Sequence, residues 1–133
     1  MRIEDRVLSI EQINRLNELG LEIKGTMLSW FNASLNGINI HMVDVSGHSS
    51  EYTIESPTLT LDEMIDMLPK KIVYNESTYY LNIDYYKNEI RYINSFHDGL
   101  PFLFGNTINI SLKDSAYKML CYMLENKFEL NIR

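Results

Sequence analysis

The sequence predicts an α+β fold of antiparallel hairpins with three helices. Two observations carry that expectation. Apolar residues recur at helical spacing behind three capping sequences, and two runs of alternating β-formers are each broken by an Asn-containing turn. The chain has 133 residues, 45% apolar and 23% charged, which is the size and make-up of a single globular domain spanning 1–133.

The first helix opens at Ser9, where a hydroxyl can accept from the amide three residues on while the Gln12 side chain reaches back to the cap. Ile10, Ile13, Leu16 and Leu19 then share a face, and Gly20 supplies a left-handed stop. Thr60 with Glu63 repeats the box for a second, short helix with Leu61, Met64, Ile65 and Leu68 as its apolar face, ended by Pro69. The third starts at Ser111 with Asp114 in its acidic first turn and a broad stripe of Leu112, Ala116, Met119, Leu120, Met123 and Leu124.

The three openings LSIEQ, LTLDE and ISLKD begin at positions 8, 59 and 110, a constant interval of 51. The turn at Asn36-Gly37 is matched by Lys87-Asn88 at the same interval, and the loop at Gly47 by HDGLP around Gly99. One reading is a duplicated α-β-β-β unit closed by a C-terminal helix. The plainer reading is that capping boxes and Asn turns are common chemistry.

In the first hairpin a type I′ turn at Asn36-Gly37 sets Leu35 opposite Ile38, Ala33 opposite Ile40 and Phe31 opposite Met42. His41 then faces Asn32. Nearer the open end, Trp30 meets Val43 and Leu28 meets Val45 on the second face, which implies a bulge or burial of both faces. In the second hairpin a two-residue turn at Lys87-Asn88 sets Tyr85 opposite Ile90 and Ile83 opposite Tyr92, with Asp84 facing Arg91 on the polar side.

The stretch INIHMVDVSGHSSEY, Ile38 to Tyr52, gathers histidines, acids and serines in the manner of a metal or hydrolytic centre. An extended strand puts roughly 17 Å between His41 and the loop that holds His48, at ~3.3 Å per residue, so the two cannot share an ion. No metal or cofactor is therefore expected. His48 and His97 occupy matching loops, and Asp98 could orient an imidazole; a small hydrolytic enzyme built on these three residues is the alternative to a binding protein. G-x-S-x-G, H-E-x-x-H, S-x-x-K and Gly-rich phosphate loops are absent, and the single Cys121 has no neighbouring cation in sequence to activate it.

Eighteen acids against twelve bases give a net charge of −6, with Lys70-Lys71 the sole adjacent basic pair. That disfavours nucleic acid as a partner. The N-terminus shows no secretory signal and no apolar run reaches the ~20 residues of a bilayer span, so a cytoplasmic protein without membrane contact is expected. Nine tyrosines point instead to protein recognition or self-association. Tyr80 and Tyr86 fall on the polar face of the second hairpin, and Leu100, Phe102 and Phe104 lie in the adjoining apolar run GLPFLFGN; these five are the candidate binding residues.

The succession LSIEQINRLNELGL, LDEMIDMLPKKI, YYLNIDYY and DSAYKMLCYMLENKF resembles small uncharacterised proteins encoded by phages and mobile elements of gut Bacteroidota. The resemblance covers most of the chain as a general pattern and brings no catalytic or binding residues with it. It implies a small accessory protein acting on a host or phage component; that the protein is non-enzymatic is expected from the missing catalytic motifs.

Overall fold

The helices start where the caps place them. In the computed structural model, which describes residues 2–47, 54–95 and 101–132, α1 spans Ile10–Glu18, α2 spans Leu61–Met67 and α3 spans Leu112–Glu125. Ser9 Oγ accepts from the Gln12 amide while Gln12 Oε1 accepts from the Ser9 amide, so the predicted box is closed in both directions. Gly20, at φ 104°, ends α1; its amide donates to Asn17 O and the Leu21 amide to Leu16 O, the bond pair of a Schellman stop. Thr60 and Glu63 exchange bonds in the same way, and Ser111 Oγ accepts from the Asp114 amide. A short 3₁₀ helix, Ile3–Arg6, precedes α1.

Among the described residues seven strands form two antiparallel sheets: β1 (Leu28–Leu35), β2 (Ile38–Val45) and β3 (Ile54–Pro57) in the order β2-β1-β3, and β4 (Lys71–Tyr74), β5 (Ser77–Asp84), β6 (Glu89–Ser95) and β7 (Pro101–Ile108) in the order β4-β5-β6-β7. The fold is α+β with a C-terminal helix, as the sequence predicts. The chain divides into two compact units, Met1–Glu63 and Met64–Arg133.

In the first unit the predicted register of the β1–β2 hairpin holds at every pair, from Leu28↔Val45 to Leu35↔Ile38. Asn36 and Gly37 both adopt positive φ, 53° and 78°, as a type I′ turn requires. The register runs without a bulge, and Phe31 and Val43, on opposite faces, are both buried; at the last pair of the open end Val45 is exposed, so the second face is covered at Val43 and not beyond it. The carbonyl of Leu8 accepts from Trp30 Nε1 and from Thr58 Oγ1, each at 2.8 Å. A bridge between Val7 and Thr60 joins the segments leading into α1 and α2. Val7, Leu8, Ile13, Leu16, Leu21, Phe31 and Leu59 are the buried apolar residues around these bonds.

In the second unit α3 packs on β6 and β7 and buries Leu112, Ala116, Met119, Leu120 and Met123, the face its spacing predicts. Beneath it lie Ile90 and Tyr92, with the Tyr92 hydroxyl donating to Pro69 O at 2.7 Å. Burial pushes the Tyr92 phenol far above its ordinary range. On β7, Gly105 and Asn106 together oppose Arg91, since Ile90 pairs with Thr107 and Tyr92 with Phe104. With Gly105 at φ 62° this is a G1-type bulge.

Two expectations change. The β5–β6 register is Asp84↔Glu89, Ile83↔Ile90, Leu81↔Tyr92, so the connection is a four-residue turn over 85–88 rather than Lys87-Asn88 alone. The shift is by two residues, which leaves each side chain on its predicted face but separates Asp84 from Arg91. Arg91 instead faces Asn82, donating Nε–H to Asn82 Oδ1 at 2.9 Å. The interval of 51 is kept by the caps at Ser9, Thr60 and Ser111 but not by the topology: β3 returns to pair with β1, whereas β7 continues onto β6 and β4 takes the free side of β5. The two halves therefore do not share one strand order.

Candidate functional site

The turn over 85–88 begins with a local bond pattern. Asp84 Oδ1 accepts from the amides of Tyr86 and Lys87 at 3.0 and 3.1 Å, an Asx-type closure, and Asn88 completes the turn at φ 54°, a conformation Asn tolerates better than other side chains. Two further bonds fix it, one to the segment between β7 and α3 and one to the first turn of α3. Asn88 Nδ2 donates to Ile110 O at 2.8 Å, and Ser115 Oγ donates to Asn88 O. The turn and the β7–α3 connection are thus tied side by side at one end of the four-stranded sheet.

Four large side chains project from this pair of loops. Tyr86 and Ile110 are each 95% exposed, Tyr85 69% and Ile108 59%. On β6, which follows the turn, the buried Glu89 carboxylate lies 2.9 Å from Arg91 Nη1, an ion-pair contact rather than an aligned hydrogen bond. Over residues 84–91 and 108–115 the charges are Asp84, Glu89 and Asp114 against Lys87, Arg91 and Lys113, so the tip is neutral in a chain of net charge −6.

Of the sequence-predicted binding residues, Tyr80 sits in β5 between Lys71 and Ile93 and is exposed. Tyr86 is exposed as well, though in the turn and not on the strand face. Register sets Phe102 opposite Asn94 and Phe104 opposite Tyr92. Leu100 lies outside the described residues, as do His48, His97 and Asp98. His41 pairs with Asn32 in the predicted register and is exposed. Among the described residues no group of three or more His, Cys, Asp or Glu side chains is placed to hold a metal ion, and no helix is long and apolar enough to cross a membrane.

Sequence reasoning missed Tyr85, Ile108 and Ile110. Assigning a two-residue turn kept Tyr85 inside the strand, although Asp84, four residues before Asn88, fits the start of a longer Asx-closed loop. Ile110 carried a clearer signal. A residue just before an N-cap normally packs against the fourth helical position, the hydrophobic staple. In the two earlier openings those positions are Leu8 with Ile13 and Leu59 with Met64, and all four are buried. In the third the fourth position is Ser115, so Ile110 has no apolar staple partner.

In the first unit a shallow depression of about 260 Å³ is lined by Lys24, Thr26, Ser29, Ser46 and Glu55, with the Ser29 and Ser46 hydroxyls bonded to each other at 2.7 Å and Glu55 accepting from the Gly47 amide. It is below the usual ~300 Å³ of a small-molecule pocket.

Comparison with protein-family models, curated proteins and solved structures finds no match to this chain.

Proposed function

We propose that the chain is a non-enzymatic accessory protein, of the kind carried by phages and mobile elements, that works in the cytoplasm by binding another protein through the exposed apolar surface of its second unit. The observation that carries this reading is where the exposed apolar residues gather. Among the described residues, eight of the twelve large exposed ones belong to that unit: Val73, Tyr74, Tyr80, Tyr85, Tyr86, Ile108, Ile110 and Ile132. Scattered single residues of this kind are ordinary, but contiguous groups mark interaction sites. Tyrosine supplies contact area at low entropy cost and keeps a hydroxyl for a polar rim.

The reading is tested by panning a naive displayed peptide library on the immobilised chain and comparing it with the variant V73S/Y80S/Y86S/I110S, whose melting temperature serves as the folding control. Enriched peptides that bind the wild type and lose the folded variant support it. No enrichment, or equal binding to both, refutes it.

A further inference from the structure

We propose that β2 is a dimer edge: a second copy of this chain adds its own β2 antiparallel to the first, about a two-fold axis through the His41 pair. The surface belongs to the first unit, so the proposal goes beyond the reading above and does not rest on it.

A sheet edge leaves backbone donors and acceptors unpaired, and proteins blunt the long ones with short strands, lysine, proline or bulges. Of the edges formed by described residues, all but one are blunted. β3 and β4 have four residues each, one ending at Pro57 and the other carrying Lys71, while β7 opens at Pro101 and is bulged at Gly105. β2 runs for eight residues without proline, lysine or bulge. The hydrogen-bond phase of the hairpin shows which of its groups are free. The Ser46 amide donates to Met27 O, so by alternation Asp44, Met42, Ile40 and Ile38 turn their backbone groups to β1, and Asn39, His41, Val43 and Val45 turn theirs outward. The Val45 amide is already engaged, donating to Asp44 Oδ1 at 2.7 Å. Among the described residues no bond reaches the amides of Asn39, His41 and Val43, although the 3₁₀ helix lies near β2.

Such an edge accepts an extended backbone, and its own side chains select β2 as that strand. With His41 opposite His41 of the second copy, Asn39 falls opposite the second copy's Val43, so the three free amides of each copy meet free carbonyls of the other. On one face the half-buried Ile40 and Met42 meet the second copy's Met42 and Ile40, and each pair covers the other's apolar flank. Asp44, the charged residue of β2, meets Ile38, so no like charges are opposed. Moving the axis to Met42 brings the engaged Val45 amide into the ladder, and moving it to Ile40 brings in Gly37 from the turn. The His41-centred pairing also closes as a two-fold dimer: the joined sheet runs β3-β1-β2-β2-β1-β3 and ends on two blunted strands, whereas an isolated strand added at β2 would leave its own outer edge bare. One strand edge buries less than the ~800 Å² per partner of a standard interface, so the dimer is weak and concentration-dependent.

The test follows the full chain by sedimentation velocity over a concentration series and traps the pair chemically. The wild type is expected to dimerise as concentration rises. His41→Lys opposes like charges at the axis from an exposed position; it should raise the dissociation constant at least tenfold and leave the melting temperature of the dilute chain unchanged. Tyr86→Ser should dimerise as the wild type does. In a Cys121→Ser background, His41→Cys should be crosslinked by a bis-methanethiosulfonate with a one-carbon spacer, since the Cα atoms of a bonded antiparallel pair lie about 5.5 Å apart. Asn39→Cys, whose two copies lie roughly 13 Å apart along the strands at ~3.3 Å per residue, should not be. A chain that stays monomeric at NMR concentrations overturns the inference, whether or not a library peptide adds to β2. So does a dimer that His41→Lys leaves intact, and so does one that Tyr86→Ser dissolves, which assigns the contact to the second unit. Crosslinking of Asn39→Cys equal to that of His41→Cys overturns the pairing as well.

Discussion

Replacing Gly105 by alanine probes the junction on which the second unit is built. Gly105 occupies φ 62°, and a Cβ there would lie 3.0 Å from Tyr122 Cε1, 3.2 Å from Tyr122 Cδ1 and 3.2 Å from Met119 Sδ. Two costs add. Holding a Cβ in the left-handed region costs about 1 kcal/mol or somewhat more, and forcing a methyl against the buried Met119 and the Tyr122 ring costs about 1–3 kcal/mol, the lower end applying if the methionine swings aside. The expected loss is about 2–4 kcal/mol, or roughly 8–16 °C in melting temperature for a chain of this length. Gly25 separates the two costs: at φ 66°, with no atom within 4 Å of where an added Cβ would lie, Gly25→Ala should show the backbone cost alone, about 1 kcal/mol. Urea unfolding of the two variants, followed by circular dichroism, gives the comparison. If Gly105→Ala costs no more than Gly25→Ala, β7 does not approach α3 as described and the bulge is not what admits the helix.

Three further outcomes depend on single side chains. Tyr92→Phe removes the donor to Pro69 O and should cost about 1–2 kcal/mol in urea unfolding, because the half-buried Pro69 carbonyl loses its partner. The same phenol is held protonated by burial while its unfolded counterpart ionises near pH 10. Above that pH the unfolded state binds fewer protons than the native one, so stability should fall as pH rises; absorbance at 295 nm should show one tyrosine that ionises only with unfolding, and Tyr92→Phe should lose that late step. Ser9→Ala opens the capping box of α1 and should cost about 1 kcal/mol, with faster amide exchange at Gln12.

The parts of this fold that were legible in the sequence are those fixed by near neighbours. Ser9, Thr60 and Ser111 each announce a helix through a bond spanning three residues, and all three form. Asn36-Gly37 fixes its hairpin because both residues tolerate positive φ and the loop length then sets every pair. The second hairpin offers two solutions, since DYYKN closes equally well as part of a strand or as a four-residue Asx-initiated turn. The two registers differ by two residues and bury the same face, so hydrophobic patterning cannot choose between them. β4 is hard to see in the sequence for a related reason: its turn places Asn75 and Glu76 at φ 49° and 65°, and glutamate is a poor marker for that conformation. Strand order was beyond reach because the pairing of β3 with β1, and of β4 with β5, depends on which edges are free after the hairpins form. At the candidate site Tyr80 and Tyr86 were legible as exposed tyrosines, whereas Tyr85 was hidden by the register ambiguity. Ile110 was hidden because an apolar residue before a cap ordinarily packs inward.

Hydrogen exchange on the wild-type chain, with and without a peptide enriched from the naive library, locates the binding surface without any substitution. Protection confined to residues 84–89 and 108–112, with the first unit unchanged, is the expected footprint. Protection over α1 and the β1–β2 hairpin, with the tip exchanging as in the free chain, would contradict binding through the second unit.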